Sequence, residues 1–384
     1  MFLTKNRVAL ACAALLTCFA TRSAVCQETK HILFVGDSFT HGRYLPVRTY
    51  NNSTAGSGST EPSQYVVDEN YGATGERGED KPGEPGPWGG IPGIFAELAY
   101  EAKLPYDVHI EAISATTLWD NYNAAKDVIM RPSWNAVVLQ DKSSEPIDHP
   151  HAFCESVKII ESAIHTAARN ADVYLYSTWV PADDAYRETT DKGRQPFSAD
   201  GYLQFLDRLT AAYHEAYISA AFHDDHIRAV APVGDAWRRA WRRVPHTDQR
   251  VANNDPYDPY PLPCKKDPGV ASPTVASGQT TDVPLTFGYQ SGSHPSTECD
   301  ATSAGFHHPS IYDAYLSGLV LFDTITEMDA GKVASTLKGE EQVAKDFGIS
   351  EQTAVQLQQV AWESVMERDD WRAKGNPGPC SSDN

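Results

Sequence analysis

Short apolar runs alternate with helix-period stripes along most of this chain. Ile32-Leu33-Phe34-Val35 is a continuous apolar run with two β-branched members, closed by Gly36, which reads as a strand buried on both faces. Further strands are read at Tyr106–Ile113, from its alternation, and at Ala136–Leu139, Val173–Tyr176 and Ile227–Ala231. Between them the spacing changes to that of helices. Ile91, Ile94, Phe95, Leu98 and Ala102 share one face, the stretch Trp119–Met130 is helical, and Phe153, Val157, Ile160, Ile164 and Ala167 form a 4-3-4-3 stripe. Tyr202, Leu206, Leu209 and Tyr213 mark a further helix, and Pro309 to about Asp329 another.

Strand–helix alternation repeated five times predicts a parallel sheet with helices on both faces. The fold class expected is α/β: a flavodoxin-like, three-layer α/β/α sandwich with a five-stranded parallel sheet. Two stretches interrupt it, about 44–88 and 244–306, both rich in Gly, Pro and polar residues, and both read as large loop insertions. Val343–Met366 predicts two short helices around Phe347-Gly348-Ile349-Ser350. The expected organisation is a signal peptide over 1–26, one domain over 27–335 and a small helical C-terminal appendage over 336–384.

The first segment carries Lys5 and Arg7, an apolar run from Val8 to Ala20, and small residues at Ser23-Ala24. Thirteen apolar residues are too few for a spanning helix, so the run reads as a cleaved secretory signal and the protein as secreted or periplasmic. Cleavage near Cys26 removes three basic residues and no acid, taking the formal charge of −19 to −22. Such an acidic chain is a poor partner for nucleic acid or anionic lipid. Four cysteines then remain, Cys154, Cys264, Cys299 and Cys380, with three possible pairings. The expected ones are Cys264–Cys299, closing an insertion, and Cys154–Cys380, pinning the tail. Overlapping Asn-x-Ser/Thr sequons begin at Asn51 and Asn52.

The first strand runs straight into Gly36-Asp37-Ser38, placing Ser38 at the carboxyl edge of the sheet, where ligands bind in open α/β folds. A serine nucleophile needs a base, and His307-His308-Pro309-Ser310 supplies one immediately before the last apolar helix. Together these two motifs, their order and the layout between them resemble the SGNH hydrolase superfamily of GDSL-type esterases and lipases. Trp88–Phe95, Trp134–Gln140 and Tyr174–Trp179 carry the flavour of a secreted branch of it. The resemblance covers most of residues 30–335.

It implies Ser38 as nucleophile and oxyanion donor, and His308 as general base and acid with His307 as near rival. Family members place an Asp three residues before this His, where this chain has Gly305; Asp300 is the expected orienting carboxylate, with Glu298 and Asp313 as alternatives. The family's glycine donor after the second strand is matched by Ala115, and its Asn donor after the third by Gln140. Asp37, Trp88 and Trp179 are expected to touch substrate, and Trp119 lies on a similar sheet-edge loop. The activity implied is a secreted serine esterase with a small-molecule or glycan ester substrate, possible targets including acetylated carbohydrate. No cofactor and no metal are expected. The alternatives are a carbohydrate-binding protein that kept the fold and lost turnover, and a metal-dependent hydrolase using His307, His308, Asp300 and Asp37, which lacks a compact ligand set.

Overall fold

Ile32, Leu33, Phe34 and Val35 are each no more than 1% exposed, although successive strand side chains point to opposite faces. Both faces of this strand are therefore covered, as in a parallel sheet sandwiched by helices. The computed structural model describes residues 28–43, 45–53, 64–77, 85–181, 199–243, 308–309, 311–337, 341–367 and 378–381. The expected signal segment, His307, Asp300, Glu298, Cys264 and Cys299 lie outside these residues.

Seven strands form one sheet: β1 Lys30–Gly36, β2 Asn52–Ser53, β3 Val66–Asp68, β4 Tyr106–Ala112, β5 Ala136–Leu139, β6 Asp172–Tyr176 and β7 Ile227–Ala231. Their order is β2-β3-β4-β1-β5-β6-β7, and every pairing is parallel. The five expected strands occupy five consecutive positions, β4-β1-β5-β6-β7, in the flavodoxin-like order. The expectation of a five-stranded sheet is corrected by β2 and β3, two short strands drawn from the first long insertion and added beyond β4. With two and three residues, neither is long enough to show an alternating pattern in sequence.

Eight helices matter for the site: α1 Ser38–His41, α2 Gly90–Glu101, α3 Leu118–Ala124, α4 Pro150–Ala167, α5 Ala199–Phe222, α6 Val233–Arg243, α7 Ile311–Thr326 and α8 Glu351–Glu367. Helix α7 is the central one: it packs on α2, α6 and α8. Gly318 makes this approach possible, because a Cβ there would lie 2.3 Å from the Ile94 side chain of α2. The tail follows the expected two-helix pattern, Gln342–Asp346 and α8, joined through Gly348 at φ 68°. Leu357, Val360 and Ala361 of α8 are buried against the same core as the sheet, and Gln358 Nε2 donates to the Tyr315 hydroxyl of α7 at 2.8 Å. No helix among the described residues is long and apolar enough to cross a membrane.

Cys154 of α4 and Cys380 lie with Cα atoms 5.5 Å apart, within the span a disulfide requires. Non-reducing peptide mapping is expected to recover a Cys154–Cys380 linked pair. Cys154→Ser should then lower unfolding stability by about 2–4 kcal/mol, the range typical for a long closed loop. A free thiol at both positions in the unreduced protein would refute the pairing.

Candidate active site

The turn that carries Ser38 is built from three local devices. Strand β1 ends at Gly36, Asp37 caps α1 by accepting the Phe39 N–H at 2.9 Å, and Gly42 closes the turn at φ 72° with its N–H on Ser38 O. The turn is also held from outside. Gln140, directly after β5, places its Oε1 where it accepts both the Asp37 N–H at 2.9 Å and the Thr40 hydroxyl at 2.7 Å. Asn121 of α3 donates to Gly36 O at 2.6 Å. Ser38 is thus fixed at the carboxyl edge of the central strand by bonds from the loop after β5 and from helix α3.

Across this edge, His308 Nε2 lies 2.8 Å from Ser38 Oγ, although 270 residues separate them. Both side chains are buried, at 3% and 6% exposure. Burial strengthens the hydrogen bond and keeps bulk water from competing with a reacting group. The imidazole meets the edge of the Phe39 ring at 5.6 Å, Phe39 stacks on Trp179, and Trp179 stacks on Trp237. Trp237 in turn donates to Ser317 Oγ of α7 at 3.0 Å. An aromatic column therefore runs from the His308 ring into the core and fixes the ring's position.

The two loops that follow β1 and β4 leave the sheet side by side, since Gly36 pairs with Ala112. The Ser38 N–H has no hydrogen-bond partner among the described residues, and neither has the N–H of Ala115. Ala115 has φ 62°, a left-handed conformation that favours glycine.

Several expected site residues take other roles. Trp88 and Trp179 are 3% and 1% exposed, so neither offers an open face to a substrate; Trp88 stacks on the His41 ring at 4.1 Å. Asp37 is a buried helix cap. Gln140 braces the turn from below: its Oε1 is occupied twice and its Nε2 donates to the Asp141 carbonyl, so the amide is turned away from the role of oxyanion donor. Asp313 is buried in the first turn of α7.

Sequence reasoning missed His41 and Asp141. His41 is completely buried, and its Nε2 lies 2.7 Å from Ser114 Oγ, tying α1 to the loop that carries Ala115. Its partner is set by packing across two loops, which no spacing in the chain reveals. Asp141 accepts the N–H groups of Leu118 and Lys142, while its Oδ2 is buried without a hydrogen-bond partner among the described residues. Burial pushes its pKa up to about 7; those two N–H bonds oppose the shift, and the charges of Glu145 and Asp37 add to it. Asp141 also lines a cavity of about 320 Å³ with Thr117, Glu145, Ser156 and Trp119, whose indole is 40% exposed.

No protein-family model and no curated protein sequence matches the chain. Among solved structures, it is similar to a DUF4886 family protein from Bacteroides uniformis, at 10% identity and a TM-score of 0.47, over 88% of this chain and 96% of that one. A protein from Slackia heliotrinireducens, provisionally assigned as an SGNH hydrolase, gives 20% identity and a TM-score of 0.33 over 58% of this chain and 90% of that one. Phospholipase A1 from Streptomyces albidoflavus gives 10% identity and 0.29 over 55% and 82%.

Proposed function

We propose that this chain is a serine hydrolase of the SGNH type that cleaves carboxylic esters through an acyl-enzyme. The observation that carries the reading is the buried 2.8 Å contact between Ser38 Oγ and His308 Nε2 at the carboxyl edge of the sheet. His308 Nε2 takes the hydroxyl proton as Ser38 Oγ bonds to the ester carbonyl carbon. The carbonyl oxygen gains the negative charge and is held by the N–H groups of Ser38 and Ala115. On collapse the C–O bond to the alcohol breaks, and His308 gives its proton to the departing oxygen. Water then attacks the acyl carbon and loses a proton to His308, which returns it to Ser38 Oγ as the acid leaves.

The substrate class we favour is an acylated carbohydrate. The support is Trp119, whose half-open indole borders a cavity lined by Thr117, Asp141 and Glu145. An apolar ring face beside hydroxyl-binding groups suits a sugar. Thr117 stands two residues from Ala115, and Asp141 follows Gln140, so both cavity loops also supply the nucleophile's surroundings.

The test is labelling with a sulfonyl fluoride, followed by peptide mass analysis and hydrolysis of p-nitrophenyl acetate. A single adduct on the Ser38 peptide, with matching loss of hydrolysis, is the expected result. Label on a different serine, or hydrolysis that survives complete labelling, would overturn the assignment. Hydrolysis absent from the wild type, with binding of acetylated oligosaccharide retained, would favour the binding protein; the turned-away Gln140 amide is the feature that reading would rest on.

A further inference from the structure

At the amino end of the same sheet, three side chains on two adjacent strands converge. His31 of β1 pairs in register with Asp107 of β4, and His109 follows two residues on, so all three project from one face. His31 Nδ1 lies 2.8 Å from Asp107 Oδ2, and His109 Nε2 lies 3.1 Å from the same oxygen. The three ligand atoms fall within 4.8 Å of one another.

We propose that His31, Asp107 and His109 bind a divalent transition-metal ion of the zinc class. Two imidazole nitrogens and one carboxylate oxygen suit such an ion, whereas magnesium and calcium prefer sites made wholly of oxygen. Ligand atoms around a tetrahedral zinc stand about 3.3 Å apart, given bond lengths of about 2.0–2.1 Å. The two His–Asp contacts, at 2.8 and 3.1 Å, therefore need to open by about 0.2–0.5 Å, and the two imidazole nitrogens lie within 4.8 Å of each other.

The surroundings carry the same message. His109 Nδ1 is bonded to Glu69 Oε1 at 2.8 Å, and Arg131 grips both Glu69 oxygens at 2.7 and 2.8 Å. A carboxylate on the far nitrogen is what fixes the ring and tautomer of a metal-binding histidine. Glu69 is the positioning residue here, and Arg131 holds it. The Asp107 side chain is 7% exposed and that of His31 41%, which leaves an open side for the ion and a water ligand. His31 stands five residues before Gly36, roughly 16 Å along the strand, so the ion would act on stability rather than at Ser38. It would clasp β1 to β4 and, through Glu69, to the end of β3.

The full-length chain, stripped with a chelator and dialysed, is titrated with cobalt(II) as a spectroscopic probe and with zinc(II) by calorimetry. One equivalent per chain is expected, with the visible absorption of four-coordinate cobalt. The thermal midpoint should rise by on the order of 5 °C when zinc is a hundredfold above its Kd. His31→Ala, at a half-exposed position, should bind zinc at least tenfold more weakly and lose that rise. Glu69→Gln should weaken binding about 10- to 100-fold with all three ligands in place.

Absence of binding by the wild type would overturn the proposal. So would binding that His31→Ala leaves unchanged. A second cluster, Glu161, Asp224 and His226, supplies the control: loss of binding in His226→Ala alone would move the ion there and refute the site on β1 and β4.

Discussion

Ser38→Ala and His308→Ala are each expected to lower kcat for ester hydrolysis by about 10⁴- to 10⁶-fold, and the double variant to be no slower than the worse single one. The two groups act on one proton, so removing either removes the same step. Their 2.8 Å contact is buried, and each variant leaves the aromatic column of Phe39, Trp179 and Trp237 in place. Both proteins should therefore stay folded, which circular dichroism and a thermal melt would verify. Residual turnover would reflect the Ser38 and Ala115 N–H groups, which neither substitution removes. A double variant slower than both singles by another factor of a thousand would mean that the two residues contribute separately, and the shared proton path would be wrong. Full activity in Ser38→Ala would remove the nucleophile altogether.

Much of this arrangement was legible because buried parallel strands are written as unbroken apolar runs. Ile32–Val35, Ala136–Leu139 and Val173–Tyr176 announce themselves, and the order of the helices between them points to the five consecutive strands β4-β1-β5-β6-β7. The short strands β2 and β3 do not, since two or three residues give no period to read. Gly36-Asp37-Ser38 and His308-Pro309 were legible as motifs, and the fold brings them together. Their supports were not. Gln140 has the amide chemistry of a donor, but which end faces the site depends on Asp37 N–H and Thr40 pulling on its carbonyl. A tryptophan at a sheet edge reads alike in sequence whether it packs or binds: Trp88 and Trp179 pack, and Trp119 stays open.

The cross-strand sets were hidden for a different reason. His31 with Asp107 and His109, and His41 with Ser114, are contacts created by strand register and loop packing. A search for His-x-x-x-His cannot find them, because a strand presents i and i+2 on one face and takes its third partner from the neighbouring strand. Ala115 holds a left-handed backbone at φ 62°, which no spacing in the chain announces.

Gly36→Ala is expected to be the most damaging conservative substitution near the site. A Cβ there would lie 2.2 Å from Thr40 Oγ1 and 2.3 Å from Gln140 Oε1, far inside contact distance. Neither group can yield cheaply, since they are bonded to each other at 2.7 Å and Gln140 also accepts the Asp37 N–H. Moving Gln140 leaves that buried N–H without its acceptor, at a cost of about 1–3 kcal/mol, and overpacking adds about 1–3 kcal/mol more. A urea melt should thus show a loss of about 2–6 kcal/mol with an unchanged m-value. The backbone that shifts is the one carrying Ser38, so kcat should fall about 10²-fold for a displacement near 1 Å. Adding Thr40→Ala removes the 2.2 Å contact and keeps the Gln140 one, so the double variant should recover part of both losses. If Gly36→Ala melted within 0.5 kcal/mol of wild type at full kcat, the Gln140 brace would not be what holds the nucleophile turn.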